Sequence, residues 1–150
     1  MKCVKIIFGL LTAVLAISLG SAVDANDECY VIGSKTNICE FASNIQKRLA
    51  PSLPMQLSEN LFLQNIMSLG PLVQVGALLN YTEDYLHENL ANAGVPRAAV
   101  DAKMKEFTIN YACSNEQISA FLGLGGKVSY VYKFVDGKQY LTINLDEKSC

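Results

Sequence analysis

The sequence predicts an α+β fold: an antiparallel sheet of about four strands in two hairpins, packed against three or four helices and stapled by disulfides. Three observations carry that expectation. At the end of the chain, Val128, Tyr130, Tyr132 and Phe134 alternate with Ser129 and Lys133, and Leu141, Ile143 and Leu145 alternate with Tyr140, Thr142 and Asn144. Both runs have the two-residue period of half-buried strands. Upstream, several stretches repeat their apolar residues at helical intervals. The third observation is an even number of cysteines, Cys29, Cys39, Cys113 and Cys150, once the N-terminal leader is set aside.

The leader comes first. Met1-Lys2-Cys3-Val4-Lys5 is followed by an apolar run from Ile6 to Leu19 and by small residues at Gly20-Ser21-Ala22. This is the pattern of a secretory signal peptide, with cleavage expected after Ala22 or Ala25. The run is shorter than the roughly 20 residues that a membrane span needs. Cys3 lies in the charged part of the leader, so no lipoprotein attachment site is expected, and residues 26–150 are expected to form a single soluble domain without a stable membrane anchor. Four cysteines in an exported chain point to two disulfides. Of three possible pairings, Cys29–Cys39 and Cys113–Cys150 are favoured: the first closes a short loop, and the second pins the end of the last hairpin to a helix end.

In the mature part, Asn37 and Glu40 have capping-box spacing, and Ile38, Phe41, Ala42, Ile45 and Leu49 recur at helical intervals. The first helix is expected from about Ile38 to Leu49, stopped by Pro51 and Pro54. Residues 57–81 admit two readings. Val73, Val75, Ala77, Leu79 and Tyr81 alternate well, so a hairpin with strands near 60–68 and 72–81, turning at Gly70-Pro71, is preferred. A helix capped by Ser58, with Phe62, Ile66 and Leu69 on one face, is the competitor.

Thr82-Glu83-Asp84 reads as an N-cap with acids favourable to the helix dipole, and that helix ends before Gly94. Pro96 suits the first position of the next helix, on which Val100, Met104, Phe107 and Tyr111 form one apolar stripe. Ser114 and Gln117 repeat the capping-box spacing before a short helix carrying Ile118, Phe121 and Leu122, which Gly123, Gly125 and Gly126 end. In the final hairpin, Asp136-Gly137 is the residue pair of a two-residue type I′ turn. With Val135 facing Lys138, the pairs Tyr132–Leu141, Tyr130–Ile143 and Val128–Leu145 follow. The expected order is α-β-β-α-α-α-β-β.

Several function classes lose their footing. Without residues 1–25 the chain holds 10 basic and 13 acidic groups. Lys47-Arg48 is then the only adjacent basic pair, too little to displace counterions from a nucleic acid. No Cys-x-x-Cys occurs, and His87 is far in sequence from every cysteine, so neither metal nor cofactor is expected. One histidine leaves little for Ser-His-Asp or Cys-His catalysis. Glu83-Asp84 is explained as a helix first turn, and Gly123-Leu124-Gly125-Gly126 precedes a strand where a phosphate cradle would open a helix. Gln74-Val75-Gly76 resembles part of the Gln-x-Val-x-Gly loop of cystatin-type protease inhibitors. An exposed face of Val131, Tyr140 and Thr142 is a candidate partner surface, since aromatic residues are enriched at such sites.

Taken together, Leu53-Pro54 before a strand pair ending in Asn80-Tyr81-Thr82, the helix reaching Cys113-Ser114, the Tyr130-x-Tyr132 strand, the Asp136-Gly137 turn and the terminal Cys150 form a pattern. It resembles small exported proteins of Gram-negative bacteria, among them the group described as quorum-sensing-regulated virulence factors. That resemblance implies a periplasmic or secreted α+β protein. The sequence therefore leads to an exported, non-enzymatic accessory protein, virulence- or envelope-associated, whose partner is another protein. The alternatives are a cystatin-like protease inhibitor and a pilotin-like secretion accessory protein.

Overall fold

The computed structural model describes residues 29–31 and 33–150; the expected leader lies outside them. Ten elements follow in order. Helix α1, Ile38–Leu49, is followed by a 3₁₀ turn, Ala50–Ser52, and by strands β1 (Met55–Ser58), β2 (Leu61–Leu69) and β3 (Leu72–Leu79). Helices α2 (Glu83–Ala93), α3 (Arg97–Ser114) and α4 (Glu116–Gly123) then lead to β4 (Lys127–Phe134) and β5 (Gln139–Leu145). Residues 61–79 form the hairpin, not a helix, and Ser58 ends a strand instead of capping.

The helix boundaries follow from local chemistry. Asn37 Oδ1 accepts from the Glu40 amide at 3.0 Å and opens α1. Thr82 Oγ1 accepts from the Tyr85 amide at 3.2 Å and opens α2, which Gly94 closes in the left-handed conformation, φ 64°. Two starts differ from the sequence expectation by one residue. Pro96 is the cap before α3, whose first helical residue is Arg97. Asn115 rather than Ser114 caps α4, taking the amides of Gln117 and Ile118 at 3.1 Å each.

The sheet is mixed, with five strands in the order β1-β2-β3-β4-β5. Two features correct the expected antiparallel sheet of four. β1 is too short, and too close to Pro51 and Pro54, to show an alternation of its own. In addition, β3 and β4 are parallel, from Leu72 beside Lys127 to Leu79 beside Phe134. A parallel neighbour needs a long crossover; α2, α3 and α4 supply it and return the chain to the starting end of β3, where the Lys127 amide donates to Pro71 O at 2.9 Å.

One sheet face carries the core. Val73, Val75, Ala77 and Leu79 of β3 lie beside Val128, Tyr130, Tyr132 and Phe134 of β4, with Leu61, Leu63 and Ile66 of β2 and Ile143 and Leu145 of β5 completing the layer. Ile38, Ala42 and Ile45 of α1 and Ile118, Phe121 and Leu122 of α4 are buried in the same core. At about 25 cal/mol per Å² of apolar surface removed from water, burial of this layer is the principal stabilising term. Both favoured disulfides are present, Cys29–Cys39 and Cys113–Cys150.

The final hairpin keeps the expected pairs Val128–Leu145, Tyr130–Ile143 and Tyr132–Leu141, but its loop is different. The Gly137 amide donates to Phe134 O and the Phe134 amide to Lys138 O, so Val135, Asp136 and Gly137 form a three-residue loop with Gly137 at φ 87°. Lys138 therefore pairs with Phe134, not Val135. The register shifts by one between Tyr132 and Lys133, and the extra residue on β5 is Tyr140. A bulge of this kind re-aims a side chain. Tyr140 turns into the core, 9% exposed, with its ring 5.3 Å from that of Phe134.

Candidate functional site

The exposed face expected from Val131, Tyr140 and Thr142 is not assembled as such. Val131 and Thr142 are paired across β4 and β5 on the open side of the sheet, half-buried and exposed, whereas Tyr140 faces α3. His87 stands on the outer side of α2, its Nε2 3.9 Å from Glu83 Oε1. Glu83 and Asp136 both lie 3.7 Å from Lys138 Nζ, which completes a solvent-exposed chain of charges. Gln74-Val75-Gly76 sits inside β3, with Val75 buried and Gly76 beneath the Asn65 side chain, so no inhibitory loop is formed there.

Helix α3 produces the most distinctive surface. Its N-terminal half is fastened to β5: Tyr140 Oη donates to Asp101 Oδ1 at 2.6 Å, and Arg97 Nε donates to the same oxygen at 3.0 Å. The Arg97 guanidinium also lies over the Tyr140 ring, 4.4 Å from its centroid. Further along, the Thr108 and Tyr132 hydroxyls meet at 2.7 Å, and Thr108 also donates to Met104 O. These contacts fix which side of α3 faces the sheet. The fully buried residues of the helix are the small ones, Thr108 and Ala112.

The apolar stripe Val100, Met104, Phe107 and Tyr111 is only partly covered: Met104 and Tyr111 pack against the edge of the core, and Val100 is half-buried. Its first three residues form one wall of an apolar trough, and Phe107 is left 42% exposed. The trough is an open hollow of about 360 Å³ between Val100, Met104 and Phe107 on the helix and Leu61, Leu79 and Tyr81 on the sheet, with Ser58 and Asn60 at its rim. A separate, largely enclosed cavity of about 30 Å³ is lined by Leu53, Met55, Leu63, Tyr111 and Tyr130, among others. The rings of Phe107, at the hollow, and Tyr111, at the enclosed cavity, stack 6.2 Å apart, and Tyr111 Oη approaches Met55 Sδ at 3.8 Å.

The lining of this hollow is mostly apolar. Its one charged lining residue is Lys103, engaged at 2.8 Å with Glu106 on the solvent side. Burial raises the pKa of Tyr130, and it also raises that of Tyr81. Their hydroxyls are therefore neutral near pH 7. From Val100 to Phe107 the helical wall of the hollow runs about 10 Å at 1.5 Å per residue, two helical turns. Among the described residues no group of three His, Cys, Asp or Glu side chains is placed to hold a metal ion, and no helix is long and apolar enough to cross a membrane.

The stripe was visible in the sequence, but periodicity cannot tell an apolar face that is covered from one that is left open. Its length was the available signal: four large apolar residues on a helix that also carried a second, small-residue face at Thr108 and Ala112.

No family model matches the chain, and no curated protein matches it in sequence. Solved structures do match in fold. The pilotin of the Vibrio vulnificus type 2 secretion system superposes with a TM-score of 0.58 at 16% identity, over 75% of this chain and 91% of that one. A Pseudomonas aeruginosa protein described as secreted gives 0.60 at 16% identity, over 75% and 92%. The type II secretion system pilotin AspS from Vibrio cholerae gives 0.56 at 18% identity, over 75% and 92%. At these identities the likeness is one of fold.

Proposed function

We propose that this chain is an exported, non-enzymatic accessory protein that holds an apolar segment of another protein in the trough beside α3, as a pilotin-like component of a secretion apparatus. The observation that carries the reading is the placement of α3. The helix buries Thr108 and Ala112 and leaves Phe107 over a mostly apolar hollow. Exposed large apolar residues grouped in a groove mark interaction sites on otherwise polar surfaces. An open hollow along two turns of α3, from Val100 to Phe107, suits a short segment with one or two apolar anchors.

Support for export comes from the leader pattern and from two disulfides, which persist in oxidising compartments. Support for the secretion-accessory class comes from the two pilotins that share the fold. The Pseudomonas aeruginosa neighbour described as secreted is compatible with the same export. The resemblance to quorum-sensing-regulated virulence factors enters this reading in its coarse form, an exported α+β protein.

The test is site-directed photocrosslinking in the native envelope. A benzophenone amino acid replacing Phe107 is expected to capture one protein, and Met104→Glu in the same chain is expected to abolish that capture. The probe at Lys148, on the exposed C-terminal turn, is expected to capture nothing specific. Equal labelling from both positions would overturn the docking reading, and a robust hydrolytic activity lost in His87→Ala would overturn the non-enzymatic one.

A further inference from the structure

We propose that the enclosed cavity beside the end of α3 is a binding site for one internal water molecule, held by the hydroxyls of Tyr130 and Tyr111 and the carboxamide of Asn115. The cavity, of about 30 Å³, lies between the α3–α4 junction and the sheet. Most of its wall is apolar, with Leu63, Val75 and Ile118 among the side chains that line it. Among the described residues, Tyr111, Asn115 and Tyr130 are the only ones in that wall whose side chains carry an N or O atom.

Two tyrosines of β4 point into the core, and the protein satisfies only one of them. Tyr132 is 1% exposed and shares its 2.7 Å hydrogen bond with Thr108. Tyr130 is 3% exposed and lines the cavity, and no described group hydrogen-bonds to its hydroxyl. Among the described residues, no side-chain N or O atom that is closed to water goes without a partner. The Tyr130 hydroxyl is therefore open to water, and the space that reaches it is the cavity. A buried hydroxyl without a partner is destabilising, and a bridging water relieves it where there is room and further polar company.

Both conditions are met. About 10–15 Å³ admits one water, whereas a ring such as benzene needs on the order of 150 Å³. The volume thus selects water over a ring or an acyl chain. Asn115 Oδ1 is taken by the amides of Gln117 and Ile118 at 3.1 Å each, which leaves its NH2 group to donate. Tyr111 Oη directs its proton at Met55 Sδ, 3.8 Å away, which leaves its lone pairs to accept. The Tyr130 hydroxyl can do either. One donor, one acceptor and one group of either kind give a water the three hydrogen bonds usual for an internal site. Burial raises the pKa of Tyr130, and the neighbouring Tyr111 phenol adds to the effect, so the hydroxyl keeps its proton near pH 7. The water links β4 to α3 and to the cap of α4, alongside the direct bond from Thr108 to Tyr132.

The experiment is oxygen-17 relaxation dispersion on the disulfide-bonded protein, which counts waters held longer than the molecule takes to tumble. Nuclear Overhauser transfer from water to methyl groups then locates the one in question. Tyr130→Phe keeps the ring, removes the hydroxyl and is expected to lower the count by one. Tyr132→Phe is expected to leave the count unchanged, because that hydroxyl is bonded to Thr108. In the unmodified protein, transfer is expected to the methyls of Val75 and Ile118, and it is expected to be lost in Tyr130→Phe. Asn115→Asp keeps an oxygen to cap α4 but removes the donor, and is expected to cut the signal of this water by at least half. Equal counts in the unmodified protein and Tyr130→Phe would overturn the proposal, as would the absence of transfer to Val75 and Ile118. Transfer lost with no change in the count would come from hydroxyl exchange and would overturn it too. If Tyr130→Phe does not fold, as judged by its amide spectrum, Asn115→Asp decides: a signal that it leaves whole sinks the site.

Discussion

Tyr140 and Asp101 share a 2.6 Å hydrogen bond that ties the last strand to the first half of the longest helix. The bond exists because a bulge turns Tyr140 inward, and Asp101 is positioned for it by Arg97 one helical turn earlier. Tyr140→Phe keeps the ring beneath Arg97 and against Phe134 but removes a donor to a carboxylate. Hydrogen bonds to charged groups contribute about 1.5–3 kcal/mol, and a loss in that range is expected in urea unfolding. An unchanged midpoint would show that solvent replaces the bond without cost.

Three buried tyrosines make the protein sensitive to alkali. Burial raises the pKa of Tyr130; it raises that of Tyr132 and Tyr140 as well, and at Tyr140 the hydrogen bond to Asp101 adds to the effect. Each folded pKa lies above the ordinary tyrosine value of about 10. The stabilisation is therefore complete below pH 10 and declines as pH rises through the folded values, because the unfolded chain releases its protons first. Stability is expected to fall by up to about 4 kcal/mol per pH unit once pH exceeds that value, about 1.4 for each tyrosine. Tyr130→Phe should make that decline shallower when urea midpoints are followed from pH 9 to 11.

The two disulfides are expected to contribute unequally. Cys113–Cys150 closes a separation of 37 residues, and Cys29–Cys39 one of 10. In the chain-entropy model these closures are worth about 4 and about 3 kcal/mol. Replacing Cys113 and Cys150 by serine should lower the unfolding free energy more than the same change at Cys29 and Cys39. The first bridge also anchors the C-terminus of α3, so its loss should increase amide exchange in the last turn of that helix.

Much of this fold was legible because its cues are local. Asn37 and Thr82 announce their helices by side-chain oxygen alone, and the apolar alternation of β4 and β5 determines their pairing without reference to the rest of the chain. The failures share a different cause. Nothing in Leu72–Leu79 or Lys127–Phe134 states that these strands are neighbours, because their pairing is decided by where three intervening helices return the chain. The bulge at Tyr140 arises from a loop one residue longer than the Asp136-Gly137 pair suggests, and it moved one member of the expected partner face into the core. The trough was half legible: its helical wall was identified, but its openness depends on Thr108 meeting Tyr132, a contact between residues 24 apart.

Gly126 should tolerate no side chain. A Cβ there would stand 2.5 Å from the ring of Phe121, which is fully buried. The ring cannot retreat from a close-packed core, so Gly126→Ala is expected to cost about 1–3 kcal/mol, the usual range for overpacking. Phe121→Leu in the same chain should recover part of that loss, and a double-mutant cycle read by thermal unfolding measures the coupling.

The trough makes the opposite prediction, a substitution that harms binding and spares the fold. Phe107 is 42% exposed and packs chiefly on Tyr111, its neighbour one turn on. Phe107→Asp gives up that stacking, worth about 0.5–1.5 kcal/mol, but buries no charge, because the carboxylate can point into water. Melting should therefore shift by only a few degrees. A partner segment with an apolar anchor seated beside Met104 would instead have to desolvate the new carboxylate, and truncation-scale losses at such anchors reach 2 kcal/mol or more. Capture of the partner is thus expected to fall by at least about thirtyfold while the fold persists. If Phe107→Asp unfolds the chain, the ring belongs to the core after all; if it changes neither melting nor capture, the stripe on α3 is not the docking surface.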